Sequence, residues 1–146
     1  QRSVAVVGET LPPGVARAGA GQAHMHRIMV SLAEVQPSHR SFAGALSEQL
    51  RSVPRGASVF VITTAVEDGL VPAISGAMTG PTSVTLLVVE GDIEGADERF
   101  AVQPRRAMES ARAAGIGVGL LRSPADIGDA VTVATSPSMR PEAGGV

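Results

Sequence analysis

Two apolar, β-branched runs dominate the hydrophobic pattern of the chain. One is Ala57-Ser58-Val59-Phe60-Val61-Ile62-Thr63-Thr64, and the other is Ser83-Val84-Thr85-Leu86-Leu87-Val88-Val89. Neither alternates polar with apolar positions, the pattern of strands buried on both faces of a parallel sheet. Between them Leu70, Val71, Ile74, Ala77 and Met78 recur at helical spacing, with Asp68 as N-cap and Gly80-Pro81 as a stop. The three segments predict a βαβ unit.

The pattern continues on either side of that unit. Pro104 suits the first turn of a helix whose Ala107, Met108, Ala111 and Ala114 face inward and which Gly115 ends. Residues 116–121 then form a third buried strand, in which Gly117 and Gly119 predict close approach of a helix. Ser123-Pro124-Ala125-Asp126 reads as a cap and acidic first turn for a short helix reaching residue 131. Upstream, residues 3–7 predict a short strand. Met25, Ile28, Met29 and Leu32 mark the buried face of a helix over 22–36. A second helix starts near Ser41, with Phe42, Ala45, Leu46, Leu50 and Val53 on its buried side. The sum is an α/β domain over residues 1–135, a Rossmann-like, mostly parallel sheet with helices on both faces. A disordered tail over 136–146 follows, where Pro, Gly and Ser dominate.

Composition narrows the chemistry. A net charge of −2 with no basic stripe, and three Phe as the only aromatics, disfavour nucleic acid. The absence of Cys excludes disulfides, thiolate catalysis and cysteine-based zinc sites. All twelve basic residues are Arg, which excludes a lysine Schiff base and the lysine of a phosphate loop. No apolar run approaches the roughly twenty residues that cross a bilayer. The chain begins at Gln1, two residues before a strand-like segment, so a piece of a longer protein is expected.

In open α/β sheets ligands sit beyond the carboxyl ends of the strands. Here that rim comprises Thr63, Thr64, Glu67 and Asp68, then Glu90 and Asp92, then Arg122 and Ser123. Glu90, Asp92, Glu94, Asp97 and Glu98 crowd five of the fourteen carboxylates into nine residues, yet their spacing does not match a calcium loop, and such a run reads as solvated. His24 and His26 stand about 200° apart around a helix and cannot share a metal; they read as solvated or partly packed, and His39 as a loop histidine. Gly19-x-Gly21 lacks the third glycine of a dinucleotide fingerprint and reads as a flexible loop. No Gly-x-Ser-x-Gly elbow occurs. Arg105, Glu109 and Arg112 read as surface ion pairing, and Met25, Met29, Met78 and Met108 as core packing.

Four segments together carry a resemblance: Gly21-Gln22-Ala23-His24-Met25-His26-Arg27-Ile28, Ser41-Phe42-Ala43-Gly44-Ala45-Leu46, Pro54-Arg55-Gly56-Ala57-Ser58-Val59-Phe60-Val61-Ile62-Thr63, and Ala113-Ala114-Gly115-Ile116-Gly117-Val118. In order and spacing they resemble the von Willebrand factor type A-like domain of the bacterial family called domain of unknown function fifty-eight, typically encoded beside MoxR-type AAA ATPases. The resemblance covers most of residues 3–131 and implies a C-terminal fragment of that domain. The resemblance implies a sheet whose top edge, in complete members of the superfamily, can bind a divalent cation through three loops. The Asp-x-Ser-x-Ser loop is absent here, Ser41 stands at the position of the second loop's Thr, and Thr64 stands where the third loop has Asp. Replacing that carboxylate with a hydroxyl implies a degenerate site with weak or no binding of Mg²⁺ or Ca²⁺ even in a full-length parent. The resemblance also implies a parent tethered by N-terminal transmembrane helices, with this part cytoplasmic.

The expected function is a non-enzymatic protein-interaction module working with a MoxR-type AAA ATPase, with no cofactor. Its interaction rim would comprise Ser41, Thr63, Thr64, Glu67, Asp68, Glu90 and Asp92. The alternative is a Rossmann-type enzyme binding a small molecule or nucleotide at the same rim. A third expectation is a fragment without independent activity: the absent first strand would lie beside residues 57–64 and leave an apolar sheet edge open.

Overall fold

The structure is a computed structural model that describes residues 4–8, 11, 17–36, 40–77, 83–90 and 104–135. The chain divides into two units, Gln1–Val53 and Pro54–Val146. The expected stop at Gly80-Pro81, Met78, His39, Asp92 and the rest of the acidic loop, and the tail over 136–146 lie outside the described residues.

In the first unit α1 spans Gln22–Ala33 and α2 spans Phe42–Leu50. Gly21 opens α1 at φ 86°, a left-handed conformation that favours glycine. Ser41 caps α2, its Oγ accepting a hydrogen bond from the Gly44 N–H at 3.4 Å. α2 buries Ala43, Leu46 and Leu50, while Phe42 is exposed and Ala45 half-buried.

Two expectations for this unit are corrected. The buried face of α1 is His24, Ile28 and Ser31, not Met25, Ile28, Met29 and Leu32; of those four, Ile28 alone is buried. The face is turned by one residue, about 100° of helix, because the His24 ring packs on Gly19 and its Nε2 lies 2.7 Å from the Val4 carbonyl oxygen. Residues 3–7 do not form a strand where they are described: Val4 makes a single antiparallel bridge with Gly19, and Val4 and Val7 stay exposed. One bridge fixes too little backbone to hold a ladder.

The second unit runs β1 (Ser58–Thr63), α3 (Leu70–Ala77), β2 (Ser83–Val89), α4 (Pro104–Ala113), β3 (Gly117–Leu121) and α5 (Asp126–Thr135). The strands form one sheet in the order β1-β2-β3, both pairs parallel, with Val61 opposite Leu86 and Leu86 opposite Val118. This is the expected α/β, Rossmann-like arrangement. Helices α4 and α5 pack on β3, and α3 packs on α4.

The core centres on β2, where Val84, Thr85, Leu86, Leu87 and Val88 are all buried, so that strand is covered on both faces. Leu70, Ile74 and Leu86 are the largest fully buried side chains among the described residues, each stabilising by about 1.5–3 kcal/mol. Ala107, Met108 and Ala111 bury one face of α4, whereas Ala114 is exposed past the helix end. Gly115, at φ 77°, donates to the Arg112 carbonyl and Ile116 to the Ala111 carbonyl, the paired bonds of a glycine stop.

Here too the sequence pattern needs correction. The apolar run of β1 is not buried on both faces: Val61 is 3% exposed, but Phe60 is 38% and Ile62 60% exposed. Among the described strands β1 lies at the edge, and a continuous apolar run reads the same whether or not a neighbour covers it. Helix α3 is entered through Gly69 at φ 93°, whose carbonyl accepts from the Ala73 N–H at 2.9 Å, so Asp68 lies one residue too early to be the cap.

Candidate functional site

The parallel register brings the carboxyl ends of the three strands to one edge of the sheet, with Thr63 opposite Val88 and Val89 opposite Leu121. Thr63, Thr64, Glu90, Arg122 and Ser123 therefore share a rim, and Glu67 and Asp68 follow in the loop that leaves β1. Ser41 belongs to the first unit, where its hydroxyl caps α2.

Most polar groups on the rim bond within the fold. The Thr63 hydroxyl donates to the Ala65 carbonyl at 2.6 Å and accepts from the Ala65 N–H at 3.2 Å, closing a tight turn after β1. Thr64 is exposed beside it, and Glu67 accepts, through its backbone carbonyl, from the Leu70 N–H at 3.2 Å. The Glu90 N–H continues the ladder by donating to the Leu121 carbonyl at 2.8 Å. Its carboxylate then accepts from Arg122 Nε at 2.7 Å, a pair with 70% and 56% of its side-chain surfaces exposed. Such a pair contributes at most about 1 kcal/mol.

Asp126, at the exit of β3, has a perturbed acidity. Its Oδ2 accepts from the Arg122 N–H at 2.7 Å and from the Ser123 N–H at 2.9 Å. These bonds, the Arg122 N–H foremost, hold its carboxyl below the usual range because they stabilise the ionised form. Its own N–H donates to the Ser123 carbonyl at 3.1 Å, so Asp126 ties the exit of β3 to the start of α5. From the sequence, Asp126 is an acidic first-turn residue; the return of its side chain to the strand end is not readable there. An Asp three residues after a Ser, at the junction of a strand and a helix, is the signal that could have found it.

Among the described residues no three His, Asp or Glu side chains come together as metal ligands. The described helices include none long and apolar enough to cross a membrane. Chemically the rim can present hydroxyls at Thr63 and Thr64, carboxylates at Glu67, Asp68 and Glu90, and the Arg122 guanidinium to a partner.

Apolar chemistry lies elsewhere on the described surface. Met25, Met29 and Leu32 follow one another at helical spacing along α1, at 51%, 60% and 47% exposure. In the second unit Phe60 and Ile62 occupy alternate positions of β1, hence one face of the sheet. Their spacing in the sequence assigns all five to the core, since periodicity marks an apolar face without saying what covers it. No known family model matches the chain, and no curated protein sequence matches it.

Proposed function

We propose that the chain is a non-enzymatic protein-interaction module, a von Willebrand A-like domain piece working with a MoxR-type AAA ATPase. The observation that carries this reading is the exposed stripe Met25, Met29 and Leu32 on α1. Methionine side chains are unbranched and polarisable, and a surface rich in them adapts to a protein partner. Large apolar side chains in a row on a surface mark an interaction site more often than scattered ones do. The ATPase as partner rests on the resemblance of residues 21–28, 41–46, 54–63 and 113–118 to its neighbouring family. The hydroxyls at Ser41 and Thr64 support a degenerate cation site on the same grounds.

The test is a titration of the chain with a MoxR-type AAA ATPase, for wild type and for Met29→Lys. Saturable binding that the substitution weakens at least tenfold supports the reading. Absence of binding counts against it. A melting temperature raised by several degrees by a nucleotide would favour an enzyme using the rim instead.

A further inference from the structure

We propose that Met25 and Met29 form a paired methionine-oxidation site, at which a hydroperoxide reversibly turns the exposed face of α1 from apolar to polar. As a control of docking this rests on the reading of α1 as the partner's surface; as a site of modification it rests on the side chains alone.

The chain has no Cys, Trp or Tyr, so thioether sulfur is its most readily oxidised side-chain group. Met25 and Met29 are 51% and 60% exposed and stand four residues apart, hence on one face of α1. Met108, by contrast, is 9% exposed, on the face that α4 buries. The face that α1 buries, His24, Ile28 and Ser31, lies about 100° of helix away from the methionines. A polar group added at either sulfur therefore stays outside the core and leaves the contact of His24 with the Val4 carbonyl in place.

The step is a two-electron oxygen transfer. With hydrogen peroxide as oxidant, the sulfur lone pair attacks one peroxide oxygen, the O–O bond breaks and an S–O bond forms. Sulfur is oxidised and the peroxide reduced; the proton on the transferred oxygen passes to the departing one, which leaves as water. The product is a sulfoxide, a strong dipole with an accepting oxygen in place of a soft apolar sulfur, and this change disrupts methionine-rich surfaces. With both sulfurs converted, Leu32 is the member of the stripe that stays apolar. Reduction reverses the step: two thiols of a methionine sulfoxide reductase supply the electrons, become a disulfide and release the oxygen as water.

The test exposes the full chain to hydrogen peroxide, wild type beside the double variant Met25→Leu with Met29→Leu, and follows each methionine by peptide mass mapping. Leucine keeps the volume, the apolar character and the helix propensity of methionine but has no sulfur, and far-UV circular dichroism verifies that both proteins stay folded. Met25 and Met29 should each gain one oxygen about tenfold faster than Met108. Retention of wild type on a hydrophobic-interaction column should fall with that conversion and return on treatment with the reductase, and most of the fall should vanish in the double variant. Oxidation of Met108 as fast as that of Met25 and Met29, or an equal loss of retention by wild type and double variant, overturns the proposal. Titration with a MoxR-type AAA ATPase before and after peroxide completes the test: binding should weaken about tenfold in oxidised wild type and hold in the oxidised double variant, and binding unchanged by oxidation overturns the switch. An untreated chain that binds no such ATPase overturns the docking reading alone, and the mapping and retention results then decide the oxidation site.

Discussion

Replacing Gly19 with alanine should break the clasp that orients α1. A Cβ built at Gly19 would stand 2.5 Å from His24 Nδ1, 2.7 Å from its Cγ and 2.8 Å from its Cε1. Those distances lie far inside van der Waals contact, and the ring cannot swing away freely because it is 4% exposed and its Nε2 is bound to the Val4 carbonyl oxygen at 2.7 Å. Gly19 is not among the glycines with positive φ, so alanine meets no backbone penalty and the cost is steric. Overpacking of this kind costs about 1–3 kcal/mol, and losing the imidazole bond costs roughly 1 kcal/mol more. The loss of unfolded-state freedom on going from Gly to Ala offsets about 0.4–1 kcal/mol. The net destabilisation of the first unit should therefore be about 2 kcal/mol. Amide exchange reads it directly, because the Val4 and Gly19 N–H groups donate to each other's carbonyls at 2.8 and 3.0 Å. Both should exchange roughly thirtyfold faster, since each 1.4 kcal/mol is a factor of about ten. In a His24→Ala background the same substitution should cost nothing, the coupling expected of two residues in contact. Unchanged protection at Val4 and Gly19 in Gly19→Ala would refute the clasp.

Three further outcomes follow from the second unit. Leu86→Ala empties the middle of the buried strand, opposite Val61 and Val118, and should cost about 2–5 kcal/mol in urea unfolding followed by circular dichroism; a cost under about 1 kcal/mol would mean the strand is not central. Asp126 is held below the ordinary carboxyl range in the fold, so its contribution is present above the unfolded value near 3.9 and is lost as pH falls through the lower folded value. Acid titration of the α5 amides should show that loss below about pH 4 in wild type and its absence in Asp126→Asn. Arg122→Gln should change stability by less than about 1 kcal/mol, since its pair with Glu90 is mostly exposed; a larger loss in thermal unfolding would show that the pair is tied into the rim more firmly than its geometry indicates.

The strands were the readable part of the chain. Runs of β-branched residues between Gly and polar loops give β2 at Ser83–Val89, and the glycine at 115 stops α4 where its φ of 77° demands one. Which face each element buries was less readable. The apolar residues of α1 predict one stripe, but the contact that decides the matter is between His24 and Gly19, a polar ring against a missing side chain, which no hydrophobic pattern records. On β1, Phe60 and Ile62 look like core because exposure depends on a neighbour that the strand's own residues do not name. The rim was readable as a set, since Thr63, Glu90 and Arg122 end three consecutive strands. Its bonding was not: the Thr63 hydroxyl turning onto Ala65 and the Asp126 carboxylate turning back to Arg122 and Ser123 depend on loop geometry.

The most direct measurement for the interaction-module reading is calorimetric titration of this chain with a MoxR-type AAA ATPase, the proposed partner, using Met29→Lys as the control. The predicted result is saturable binding that the lysine weakens at least tenfold while Ile62→Lys leaves it unchanged. Equal binding by wild type and Met29→Lys, or no heat from either, would contradict it.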